Sequence, residues 1–193
     1  MTFRDRLRRI PLLAWIAGPV ALAALVAWPL GGWDTVALVS REVPRFASNQ
    51  VLEGHRFDLR VDDAWVAHEH PAVFAPEPGQ ELLIVRVEVT NRTGEPEGVT
   101  ALRGYVVPPV PDSDGAGSPF YALVADGTSL PELNPGLPRT IDIIWTIPAG
   151  AVAVGDDLRI GMYDSLPRSS FVYYGVVWDT FLAGIAERNV SER

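Results

Sequence analysis

Cysteine is absent from all 193 residues, so no disulfide, no thiolate metal site and no lipidated cysteine of the lipoprotein type can form. Stability has to come from packing. Lysine is absent too: the 16 basic side chains are all arginine, a usage that matches the codon bias of a GC-rich bacterial genome. Histidine occurs only at His55, His68 and His70. With no cysteine, no nucleophile-elbow serine and so few imidazoles, nucleophilic catalysis has little to work with. The chain is expected to be no enzyme and to carry no cofactor.

Charge is missing from one long stretch. Arg4, Arg6, Arg8 and Arg9 crowd the first nine residues, and then no ionisable side chain occurs from Ile10 to Trp33. At 1.5 Å per residue such a run can cross a hydrocarbon core of about 30 Å as a helix. Arginine flanks only its N-terminal side, which predicts a cytoplasmic tail and an exterior remainder. Trp28 and Trp33 fall where an outer aromatic belt would lie, Pro19 should kink the span and Pro29 should end it. A cleaved secretory signal is the alternative. Its apolar region should be shorter, and the candidate site Leu25-Val26-Ala27 has a bulky residue where a small one is needed.

Basic residues are scarce in the remainder. Residues 34–193 carry 12 arginines against 23 acids, a formal charge of −11 with histidine neutral. That balance repels phosphate backbones, so nucleic-acid binding is not expected. The expected organisation is a basic tail over 1–9, a transmembrane helix over 10–33, a juxtamembrane tether over 34–52 and one extracytoplasmic domain over 53–193.

Within that domain apolar residues recur with period two, the pattern of strands burying one face. Phe57, Leu59 and Val61 alternate with polar residues, as do Leu83, Val85, Val87 and Val89 before the turn Asn91-Arg92-Thr93-Gly94. Ile141, Ile143, Trp145 and Ile147 form a third run between Asn134-Pro135-Gly136 and Pro148-Ala149-Gly150; Leu158, Ile160 and Met162 form a fourth. Weaker strands are expected over 98–107, 120–124 and 171–178. About seven short strands joined by Pro- and Gly-rich connections predict a mainly β fold, an antiparallel β-sandwich of immunoglobulin-like type. Val177, Phe181, Leu182 and Ile185 follow helical spacing, which predicts a short C-terminal helix. The segment from Pro108 to Pro119 reads as an exposed loop.

The order from Gly79 to Asp164 resembles the telokin-like extracellular domains of bacteria, among them immunoprotective secreted antigens. The pieces that carry it are the strand end at Thr90-Asn91, the Pro135-Gly136 turn and the alternating strand closed by Ile147-Pro148. The resemblance covers less than half of the chain, and the loop at 108–119 and the extension at 171–193 depart from it. It implies an immunoglobulin-like sandwich held outside the cell by a signal, lipid or membrane anchor, and it implies no catalytic residues.

Candidate chemistry is sparse. His68 and His70 would face one side of a strand, a spacing that can chelate zinc or copper if His55 or an acid joined them, although a polar strand end running into Pro71 is the reading preferred. Asp112 and Asp114 in Asp112-Ser113-Asp114-Gly115 offer oxygens to calcium without the further acids of a full loop. No metal site is assigned. Asp62-Asp63 and Asp156-Asp157 read as turn and surface acids. Tyr173, Tyr174 and Trp178, with Phe171, are candidates for a partner-binding or membrane-facing surface, although packing across the sandwich is the preferred explanation. The function expected is binding: a single-pass envelope protein with a protein partner, as an accessory subunit of a membrane complex. A secreted antigen-like protein and a metal-dependent enzyme are the rivals.

Overall fold

Two β-sheets face each other around one apolar layer. The computed structural model describes residues 43–47, 49–109, 118–170 and 175–193. The expected tail, the transmembrane helix over 10–33 and most of the tether lie outside the described residues, as do Asp112, Asp114, Tyr173 and Tyr174. Among the described residues no helix is long and apolar enough to cross a membrane.

The strands are β1 (Arg45–Phe46), β2 (Phe57–Ala67), β3 (Gln80–Asn91), β4 (Glu97–Gly98), β5 (Val106–Val107), β6 (Phe120–Leu123), β7 (Glu132–Leu133), β8 (Pro138–Pro148), β9 (Asp157–Ser170), β10 (Gly175–Asn189) and β11 (Ser191–Glu192). One sheet has the order β11-β2-β3-β8-β6, the other β1-β10-β9-β5, and β4 pairs with β7. Pairing is antiparallel except at β1 on β10 and β11 on β2. This is a mainly β sandwich, as the period-two runs predict. The expected strand over 98–107 is instead β4, a 3₁₀ turn at Val99–Leu102 and β5.

Between the sheets lie Phe57, Leu59, Val61, Leu83, Val85, Val87, Val89, Ile141, Ile143, Ile147, Ile160 and Met162, all nearly or fully buried. Burying each such side chain is worth about 1.5–3 kcal/mol. The alternation in β2 does not survive its whole length. Val61 pairs with Val87 but Asp63 with Arg86, so Asp62 is the extra residue of a bulge. After it the buried parity flips: Ala64 and Val66 join the core, while Trp65 and Ala67 turn to the outer face. There they meet Leu82, Ile84, Ala122 and Ile144, partly covered by Ala72, Val73 and Phe120. The five-stranded sheet therefore buries apolar side chains on both faces at this end, which a one-sided pattern does not anticipate.

Two expectations need correcting. The stretch from Val177 to Ile185 is strand, paired with β9 along its length. A bulge between Leu182 and Gly184 offsets the alternation by one residue, and β-branched and aromatic side chains pairing across the hairpin override the helical spacing. The folded unit also begins earlier than residue 53: Arg45 and Phe46 pair with Ile185 and Ala186, and Leu52 is buried in the core. Close packing helps seat this arm, because a Cβ on Gly184 would meet the Phe46 ring at 2.3 Å.

Arg188 joins the two layers. Buried in β10, it donates from Nε to the Val61 carbonyl of β2 at 3.0 Å, and its Nη2 donates to the same oxygen. It also reaches Phe46 O at 3.4 Å, Ala47 O at 3.2 Å and its neighbour Glu187 O at 2.6 Å. Burial lowers its pKa, against the opposing pull of Asp62 and Asp63. Arg188→Met should cost about 2–4 kcal/mol in urea unfolding, since backbone carbonyls lose their donor, and Arg188→Lys should not restore it because an ammonium lacks the planar fork. A loss under 1 kcal/mol for Arg188→Met would remove this role. Tyr121 in β6 supplies a second check. Burial pushes its phenol from 10.0 up to about 12, so the folded chain holds the proton that the unfolded chain releases near pH 10. Stability should be intact below pH 10 and fall between about pH 10 and 12, and Tyr121→Phe should flatten that part of the curve.

Candidate functional site

The two neighbouring histidines part company. His70 Nδ1 accepts the Ala72 N–H at 3.2 Å, which puts its proton on Nε2, 3.5 Å from Asp142 Oδ2. Asp142 is buried in β8 and takes both arms of Arg86, at 2.7 and 2.8 Å. This hydrogen bonding raises the Arg86 pKa, against the effect of burial. Arg86 and Arg193 both lie over the Trp65 ring, at 5.0 and 4.6 Å from its centroid, and Arg193 also pairs with Asp63. Those contacts hold the C-terminal residues over the outer face of β2. His68 is exposed and lines a separate cavity of about 250 Å³ with Glu81, Val152, Glu192 and Arg193. Glu81 already accepts the Gly150 N–H at 3.0 Å. Among the described residues no group of three histidines and acids is placed to hold a metal ion.

The third histidine has the more ordered surroundings. Asp164 in β9, almost fully buried, accepts the His55 backbone N–H at 2.9 Å, the Ser165 N–H at 2.7 Å, and faces His55 Nδ1 at 2.6 Å. A carboxylate there favours the tautomer with the proton on Nδ1, leaving the Nε2 lone pair free on a half-exposed ring. The approach requires glycine next door: a Cβ on Gly54 would lie 2.3 Å from Phe57 O and 2.9 Å from Asp164 Oδ1. His55 lines a cavity of about 350 Å³ with Glu53, Gly54, Asp58 and Arg92, the last two 3.6 Å apart. An oriented imidazole can accept a proton, but these lining residues supply no hydroxyl or thiol for it to activate. The nearby Ser165 hydroxyl is buried and hydrogen-bonded to Tyr105. The pair thus ties the segment after β1 to β9. His55 and Asp164 are 109 residues apart, and only the adjacent glycine hints at a close approach.

The acids Asp62-Asp63 lie at the β2 bulge, Asp62 beside Arg60 at 2.6 Å. Asp156 caps a turn by accepting the Ala153 N–H at 2.9 Å. Trp178, of the aromatic candidates, is half-buried: its ring lies 5.0 Å from the Arg56 guanidinium, which also sits 5.3 Å from the Phe57 ring and pairs with Glu97. The two pieces that carry the family resemblance meet in space. Asn91, buried, donates to Glu95 O and Leu133 O at 2.8 Å, accepts from Thr93, and its carbonyl accepts the Gly136 N–H at 2.8 Å. Gly136 has φ 70°, the left-handed region that the turn requires.

No protein-family model and no curated protein matches the chain. Solved structures do. A β-sandwich protein of uncharacterised function from Clostridium difficile 630 matches with TM-score 0.50 and 7% identity, over 78% of this chain and 95% of that one. A lipoprotein candidate from Bacillus subtilis subsp. subtilis str. 168 matches with TM-score 0.33 and 12% identity, over 69% and 38%, and a conserved hypothetical protein from Bacillus anthracis with 0.31 and 16%, over 60% and 87%. At such identities the first likeness speaks for the β-sandwich fold alone.

Asp164→Asn should lower stability by about 1–3 kcal/mol, since a charged acceptor for three N–H groups is lost. Nitrogen NMR of the His55 ring should show the Nδ1–H tautomer losing ground to Nε2–H. An unchanged tautomer ratio would mean that Asp164 does not orient the ring.

Proposed function

We propose that the chain is a single-pass envelope protein whose β-sandwich lies outside the cytoplasmic membrane and binds a protein partner there, as an accessory subunit of a membrane complex. The observation that carries this reading is the run from Ile10 to Trp33, uncharged over a membrane's thickness and flanked by Arg4, Arg6, Arg8 and Arg9 on one side only. A single folded unit, Val43–Arg193, follows it. We also read the domain as immunoglobulin-like and akin to the telokin-like bacterial domains. The support is the junction of Asn91 with Pro135-Gly136, which brings the two sequence pieces of that resemblance together. An acidic, cysteine-free sandwich suits recognition by surface contact, and the oriented His55 lacks a neighbouring nucleophile among the residues around its cavity.

A periplasm-active reporter fused behind Arg193 should be active in cells, and the chain should stay with membranes through alkaline carbonate extraction. Activity of a cytosol-only reporter would overturn the topology. A mature N-terminus beyond Ala27 would favour the secreted form. Cross-linking in native membranes should recover a stoichiometric companion, and repeated recovery of the chain alone would count against the accessory role.

A further inference from the structure

We infer that the mouth between the two sheets, at the His68 end of β2, receives a basic side chain, a lysine or arginine presented by the protein partner, an inference that rests on the binding role proposed above. Glu81 is an acid in an apolar layer. It pairs in register with Ile147, a core residue, and stands two positions before Leu83, also core, so its side chain lies on the face of β3 that looks into the sandwich. It is only 9% exposed. A carboxylate taken out of water needs a counter-charge or a full set of hydrogen bonds. Among the described residues Glu81 has one such bond, from the Gly150 N–H to Oε1 at 3.0 Å, and no ion pair. Gly150, with φ 77°, shapes the turn that holds this oxygen, and the other is left for an incoming donor.

That carboxylate borders the cavity of about 250 Å³ described above. One residue beyond the last β2–β3 pair, Ala67 with Leu82, His68 stands across from Glu81 at the rim. Glu192 pairs with Val66, a core residue, and so flanks the same opening from β11. The basic residue of the lining, Arg193, is engaged elsewhere: its guanidinium pairs with Asp63 and lies over Trp65, on the outer face of the sheet. The mouth therefore holds two carboxylates and no cation to match them.

Those charges select against an anion. The donors are not placed to hold a metal ion, which needs at least three of them together. The walls favour a cation on an apolar stem. Val66 and Val152 are each 7% exposed and Val154 is exposed, so methylene groups can lie along them while the charged head reaches Glu81. Residues 34–193 carry a formal charge of −11, which draws a basic partner toward this surface.

The Gly150 amide is the reporter. Proton–nitrogen NMR follows the full chain in detergent micelles as Nα-acetyl-lysine methylamide or Nα-acetyl-arginine methylamide is added, with the Nε-acetylated lysine derivative as uncharged control. At least one basic probe should shift the Gly150, Glu81 and His68 signals along a saturating curve, and the control should not. Glu81→Gln, which can still accept the Gly150 N–H, should weaken that probe at least tenfold. Glu192→Gln at the exposed rim should weaken it at least threefold, and Asp58→Asn at the His55 cavity should leave it unchanged. Equal shifts from charged and uncharged probes, or full affinity in the Glu81 variant, would overturn the inference; if that variant does not fold, full affinity in the Glu192 variant does so instead. Cross-linking in native membranes separates this site from the binding role itself. Glu81→Gln should recover the companion in at least fivefold lower yield than the unaltered chain. Equal yields sink the basic side chain and leave the accessory role standing; Glu81-dependent probe binding with no companion recovered sinks the accessory role and leaves the mouth a site for a basic group.

Discussion

The sandwich depends on one buried cation that bonds to backbone. Arg188 projects from β10 into the layer between the sheets and uses its fork on carbonyls of β2 and of the β1 arm. A guanidinium stays charged, so its desolvation is tolerated only where oxygens are ready to accept it. The Val61 carbonyl is one of them, and it lies beside the Asp62 bulge, where the strand's twist and parity change. Bulge, arginine and arm are thus one device. It closes the end of the core and holds the N-terminal segment against β10.

A similar economy runs through the rest of the polar interior. Asp142 is matched by Arg86, Asp164 by His55 and two backbone N–H groups, and Asn91 by the carbonyls and N–H groups of two turns. Each buried polar group fastens two distant segments of chain, and together they do for a cysteine-free protein what covalent links do elsewhere. Their chemistry is that of structure.

Much of this was legible in advance because it depends on local spacing. The strands around Leu83–Val89 and Ile141–Ile147 announce themselves by period two, and the turns that end them by Asn91, Pro135 and Gly136. The terminal strand carries helical spacing because a bulge near Ala183 breaks the period of two where aromatic and β-branched residues are dense. The outer-face cluster of Trp65, Ile84 and Ile144 leaves no such mark, since its strands are apolar on both faces and the covering loop gives no periodic signal. Of the candidate site residues, His68 and His70 share a neighbourhood in sequence but not partners in space. The pair that does meet, His55 and Asp164, is joined only by folding.

The mainly β sandwich, the absence of covalent staples, the acidic balance and the uncharged run after the basic tail are all readable from the order of residues, because composition and short-range periodicity are properties of the chain alone. Which carboxylate meets His55 and where Arg188 finds its oxygens are settled by folding. Those contacts join residues a hundred or more positions apart, and their energy exists only once both segments have been brought into register.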